Sequence, residues 1–308
     1  MSAPIVGVVG NDVPRQLVQA AGAVPRRLFG TWSGGLDPRA SELLGAIDPV
    51  AVRILGDLLD TEAAHPDALV ICNDSEAHLR LFYVLRMLAG TGLPPVHLLD
   101  LPRRDSPAAR RFAAGRLRDL VEFVASVTKR TVDAASLADS AAAERRLAAA
   151  VQRLRGRRRD AASGTAFLSA LLQAATLAPD DAVRILDAAG GSVDAAGFPA
   201  DAAALGVLVT GSDHPDTTVF SALERHGMRI VADQSDTGDL SWLGVAADGS
   251  DLDSVVDGLV HAHFSRDAAS PVSLIAERAR AAAERAVSAG AEAAVVLQRT
   301  GDEAPGWD

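Results

Sequence analysis

Two distant stretches of this chain follow one grammar: an apolar strand signal, a polar tip, a proline-initiated helix, a glycine and a second strand. The first runs from Val9-Gly10-Asn11-Asp12-Val13-Pro14 to Ala21-Gly22-Ala23-Val24. The second runs from Thr210-Gly211-Ser212-Asp213-His214-Pro215 to His226-Gly227-Met228-Arg229. A strand that feeds a helix and then another strand builds a parallel sheet with a right-handed crossover. The repetition predicts an α/β fold of two Rossmann-like (flavodoxin-like) lobes that face each other. In open parallel sheets ligands gather outside the carboxyl ends of the strands, so a cleft between the two sets of tips is the expected site.

The elements between these landmarks agree with that plan. Ile5–Gly10, Val24–Phe29, Ala68–Cys72 and Val96–Leu99 read as buried strands. Helices are expected over Pro14–Ala21, with Asp12 as N-cap, over Pro49–Leu59, and over Glu76–Leu88 behind Asn73-Asp74-Ser75. Residues 107 to about 189 are rich in Ala, Arg, Leu and Asp and predict an all-helical connector. Helix starts are expected there at Asp133 and Ser136 and at Pro179-Asp180-Asp181, with a loop at Gly190-Gly191 and Pro199. Strands return at Val207–Thr210, Met228–Asp233 and Ala293–Leu297, with helices over Thr217–His226 and Ser273–Ala289. The domains follow as an N-terminal lobe over 1–106, the connector over 107–200 and a C-terminal lobe over 201–308.

Composition narrows the function classes. A formal charge of -10 argues against a nucleic-acid binder. Arg153 to Arg159 is the one dense basic run and reads as a solvated helix end. The single cysteine, Cys72, excludes an intramolecular disulfide and suits a reducing cytoplasm. No stretch reaches the ~18 apolar residues of a membrane span, and the start of the chain does not read as a signal peptide. The expectation is a cytoplasmic protein with no membrane contact.

Candidate residues sit at the strand tips. Gly10 and Gly211 allow close approach of a ligand or merely a tight turn. Asn11, Asp12, Asn73, Ser75 and Ser212 are ligand-binding candidates, and Asn73, Asp74 and Ser75 also read as helix caps. Asp233 and Asp236, with Glu76 in the first turn of its helix, are catalytic candidates. Two carboxylates near one tip can split their pKa values and share acid–base work; otherwise they are loop acids that solvate the surface. Cys72 is either a buried core thiol or a nucleophile or metal ligand. Ser212, Asp213 and His214 read as signals of a helix start. His261 and His263 point apart on a helix and make no metal site.

The ordered set of these stretches resembles the 2-hydroxyacyl-CoA dehydratase family, which includes benzoyl-CoA reductase subunits. The likeness lies in Val13-Pro14 with Leu17 to Leu28, in Asp74-Ser75-Glu76 with Arg80 to Arg86, and in His97 to Pro102. It continues in Leu208 to Ser212, in Val231 to Asp233 with Thr237-Gly238, and in Asp302 to Asp308. The resemblance implies a [4Fe–4S] cluster held by three cysteines at the cleft. That cluster passes one electron to a thioester-bound substrate, giving a ketyl radical that loses a hydroxyl. A separate ATP-dependent activator supplies the electron.

This chain departs from the family at all three cysteine positions. The first falls at Gly10 or Asn11, the second at Cys72 or Asn73, and the third at Asp236. Cys72 is at most a remnant ligand, and no cofactor is expected on this chain. The cluster is expected on a partner: a homologous dehydratase subunit, in a homo- or heterodimer, with an acyl-CoA-type substrate. The alternatives are an enzyme using non-radical acid–base chemistry in the same cleft, or a non-catalytic module that binds a small ligand. Relatives usually continue through another helix and strand, so the second lobe is expected to lack its last element.

Overall fold

The computed structural model describes residues 3–160, 163–192, 204–268 and 270–307. It contains two parallel sheets. The first has four strands, β1 (Ile5–Val9), β2 (Val24–Arg27), β3 (Ala68–Cys72) and β4 (Val96–Leu99), in the order β2-β1-β3-β4. The second has three, β5 (Leu205–Gly211), β6 (Met228–Asp233) and β7 (Ala293–Leu297), in the order β6-β5-β7. The second sheet therefore repeats the inner order of the first. In each, the first strand lies between its two successors, so the chain reverses direction beside Gly10 and beside Gly211. That reversal opens a crevice at the strand tips.

The first sheet is buried on both faces, which is why β3 reads as one apolar run. Val6, Val8, Val70 and Cys72 face a core shared with α1 (Arg15–Ala20) and α5 (Pro107–Thr128). Val9, Leu69 and Ile71 face α3 (Pro49–Leu59) and α4 (Glu76–Met87), with α2 (Pro38–Leu44) beside them. The helical segment holds α6 (Ala134–Asp160), α7 (Gly164–Ala175) and α8 (Pro179–Ser192). Leu147, Leu154, Phe167 and Leu186 join these three helices into a core of their own. The opposite side of α7 packs Leu168 and Leu172 on Val207, Val209 and Ile230 of the second sheet and on Phe220 of α9 (Thr218–Arg225).

Most expected elements are found, with several differences. Asp12 does not cap α1; that helix starts after Pro14 without any side-chain cap. Of Asn73, Asp74 and Ser75, only Ser75 caps α4, accepting the His78 N–H at 3.1 Å. The loop expected at Gly190-Gly191 is helix through Ser192, while Pro199 and the boundary at 200 lie outside the described residues. Asp37 caps α2, which is absent from the sequence reading, and Asp251 caps α10 (Leu252–Ser265), of which only the helical setting of His261 and His263 is expected from the sequence. After β6 the chain returns to the first lobe, where Val255, Val256, Leu259 and Val260 of α10 join the core of β1, β3, α1 and α5. It then crosses back to α11 (Ile275–Ala289) and β7.

The basic run also differs from expectation. Arg158 is buried and pairs with Asp239 at 2.5 Å and Asp233 at 3.5 Å, and Arg155 reaches Asp239 at 3.4 Å. A helix end expected to be solvated therefore clamps the loop after β6. Among the described residues no helix is long and apolar enough to cross a membrane.

Candidate functional site

The tips of β1 and β3 meet at Gly10. Its φ of 94° and its position admit only glycine, because a Cβ there would collide with the Asp74 carboxylate and the Cys72 side chain. Asp74 reaches across from the end of β3 to accept the Asn11 N–H at 2.7 Å, and its other oxygen meets His78 Nδ1 at 2.5 Å. Asp12 is buried beneath and is held by Arg103 at 3.0 Å and by Arg266 from the end of α10. Burial alone would raise its pKa, but the two guanidinium groups hold the carboxyl well below the usual range. The Asp12 N–H donates to Cys72 Sγ at 3.3 Å. Cys72 is fully buried, and burial pushes its thiol well up, so it stays protonated. Asn73 turns outward and donates to Asp100 at 2.9 Å.

The second lobe supplies the opposite wall. Gly211 has a φ of 106° and lies against the backbone of Leu297, where a Cβ would overlap the carbonyl oxygen. Ser212 donates to Asp302 at 2.5 Å and accepts the Arg299 N–H at 3.0 Å. The two expected acids diverge. Asp233 is fully buried and serves the turn that follows it, accepting the Ser235 N–H at 3.1 Å and the Asp239 N–H at 3.0 Å. Its pKa is raised by burial and by Asp239. Asp236 faces the cleft, and both of its carboxylate oxygens accept from Nη2 of Arg27 on β2, at 3.0 and 3.2 Å. Asp213, from the first sheet position of this lobe, accepts the Asp236 N–H at 2.8 Å. Burial and the neighbouring Asp236 push the Asp213 carboxyl well above the ordinary range.

Two cavities of about 650 and 720 Å³ flank this line, and both are bounded by Asp74 and Asp236. Glu76 stands on the rim of the larger, exposed and paired with Arg80 at 3.0 Å. Acidic side chains outnumber arginines in both linings. Within the first lobe Arg27 Nη1 donates to Asn11 at 3.3 Å, and across the cleft Arg299 pairs with Asp48 at 2.5 Å. Gly10, Asn11, Cys72 and Asp236 are thus brought to one place, while Asn73 and Asp233 turn to structural partners.

A family model described as 2-hydroxyglutaryl-CoA dehydratase, D-component, matches residues 11–303. The chain belongs to the 2-hydroxyacyl-CoA dehydratase family. A comparison with curated proteins finds no match. For this dehydratase-family chain the cluster can be tested against the donors present. Three thiolates are required for the cluster typical of the family. The chain has one cysteine, buried and protonated, and at the Asp236 position a carboxylate already holds a guanidinium. The donor set does not fit a three-thiolate cluster on this chain.

Among the described residues, Asp12, Cys72 and Asp74 bring ligand atoms within 4.8 Å of one another. Arg103 and Arg266 already neutralise Asp12, so a metal cation would face two fixed positive charges there. The residues missed by sequence reasoning are chiefly Arg27, Arg103, Arg266 and Asp213. Each stands in a stretch whose local pattern is ordinary. The one available signal was the alignment of Asp12 with Asp213 in the two repeats.

Proposed function

We propose that this chain is a 2-hydroxyacyl-CoA dehydratase-like subunit that carries no cluster of its own. It acts in the cytoplasm with a related, cysteine-bearing partner chain on an acyl-CoA-type substrate, and an ATP-dependent activator reduces the partner. The carrying observation is the Arg27–Asp236 pair: one guanidinium holds Asp236, at the third cysteine position of the family, and Asn11, which with Gly10 marks the first. The two charges offset each other at these positions, so the pair stands as a structural substitute for a cluster. The family fold keeps the cleft, and this chain's residues bind and orient the acyl end there. The acidic surplus repels the CoA phosphates and keeps them at the mouth.

Iron and acid-labile sulfide assays on anaerobically purified protein test the proposal. Neither is expected above background on the chain alone, and native mass spectrometry of the chain with a cysteine-bearing homologue should show a mixed assembly. About one four-iron cluster per chain would sink the cluster-free part.

One observation favours a second reading, an enzyme of non-radical acid–base chemistry. Asp213, whose carboxyl is pushed well above the ordinary range by burial and by Asp236, accepts the Asp236 N–H, and two carboxyl groups in unlike environments can share acid–base work. Full activity in an Asp236→Ala variant would eliminate it.

A further inference from the structure

A third cavity of about 40 Å³ lies beneath the cleft floor. That is room for a carbonyl group or about two to three waters. Its wall includes Val8, Pro25, Arg27, Ser241, Trp242 and Leu243. Gly10, Arg27, Phe29, Asp236 and Thr237 line both this cavity and the larger one above it, so the small space opens on the cleft.

Three of its wall residues each bury a polar atom without a hydrogen-bond partner: Arg27 Nε, Ser241 Oγ and Trp242 Nε1. Trp242 is only 5% exposed. Buried polar groups nearly always find partners, and unpaired ones in a native fold point to a missing group. All three atoms are donors, and two of them can only donate. What they lack is an acceptor. Arg27 already has its charge met by Asp236, so a neutral carbonyl oxygen suits the set better than a phosphate. The other polar residues of the wall, Asn11, Arg15, Asp236 and Thr237, already have partners, and the remainder is apolar.

The donors are held in place from behind. Asn11 Oδ1 accepts from Arg27 Nη1 at 3.3 Å and from the Trp242 backbone N–H at 3.3 Å, so one side chain ties these two residues together. The Arg266 guanidinium lies 4.7 Å from the centre of the Trp242 ring. Such fixed donors need no reorganisation to meet a ligand.

We propose that Arg27, Ser241 and Trp242 form a subsite for the carbonyl oxygen of an acyl thioester. The inference rests on the acyl-CoA reading given above and locates the acyl end within the cleft. The competing occupant is an ordered water, which satisfies the same donors without selecting a ligand.

The test compares acetyl-CoA, free CoA and sodium acetate with the full chain. The Trp242 indole N–H resonance, identified by its loss in Trp242→Phe, should shift with acetyl-CoA and acetate and stay still with CoA. Acetyl-CoA should bind about tenfold more tightly than CoA, and Ser241→Ala, a small change that spares the core, should remove most of that difference. Equal binding of acetyl-CoA and CoA with an unmoved indole resonance overturns the subsite, leaving only an ordered water, but keeps the CoA reading. A resonance that moves with acetate while neither CoA compound binds supports the oxygen site and sinks the acyl-CoA reading. No response to any probe overturns both.

Discussion

The Arg27 and Asp236 side chains are 13% and 11% exposed, so both charges are largely withdrawn from water. Removing one partner strands the other, and such losses cost about 3–5 kcal/mol. Asp236→Ala is expected to lower stability by about that amount in urea unfolding. Asp236→Ala combined with Arg27→Met should recover most of the loss. A double variant no more stable than the single one would refute the pairing.

His214 offers a second test at the same scale. It is fully buried against Trp32 and Phe220, and neither ring nitrogen has a hydrogen-bond partner. Burial, helped by Arg299, lowers its pKa to about 4. The unfolded chain protonates His214 near pH 6.5 and the folded one only near 4, so stability is full above 6.5 and is lost as pH falls from 6.5 to 4. His214→Phe should flatten this limb by about 1.4 kcal/mol per pH unit, read from denaturation midpoints. Comparison with the parent cancels the contribution of Asp213, whose raised pKa works in the opposite direction. Parallel limbs in the two proteins would contradict the assignment.

At the level of elements, α10 is the least legible. Its Asp251 cap and Ser254 form a reciprocal box, and its apolar residues have helical spacing. Yet nothing local says that this helix, placed between β6 and β7 in the chain, belongs against the other sheet. Only the core shared with β1 and β3 decides that. Leu259 is fully buried in it. Leu259→Ala should cost about 2–5 kcal/mol and shift one cooperative unfolding transition as a whole. Loss of the second lobe alone, seen as a separate early transition, would show that α10 does not tie the lobes together. The strands were easier to find. β1 and β3 are continuous apolar runs, and their ends are set by Gly10 and by the polar Asn73-Asp74-Ser75.

Across the whole molecule, the division between chain and fold is clear. The sequence alone established the two α/β lobes, because apolar runs buried on two faces and the paired strand–tip–helix patterns depend on local periodicity. The order of its motifs also pointed to the family, and its single cysteine removed the usual cluster ligands. Tertiary structure decided which charges pair. Arg27 and Asp236 are far apart in the chain, and no local pattern couples a β2 arginine to a loop after β6. The same holds for the buried Asp12, which reads as a helix cap until Arg103 and Arg266 arrive from two other elements. Capping and strand formation are short-range, so a sequence reports them; charge pairing across a cleft is a matter of distance in space, and only the fold sets that distance.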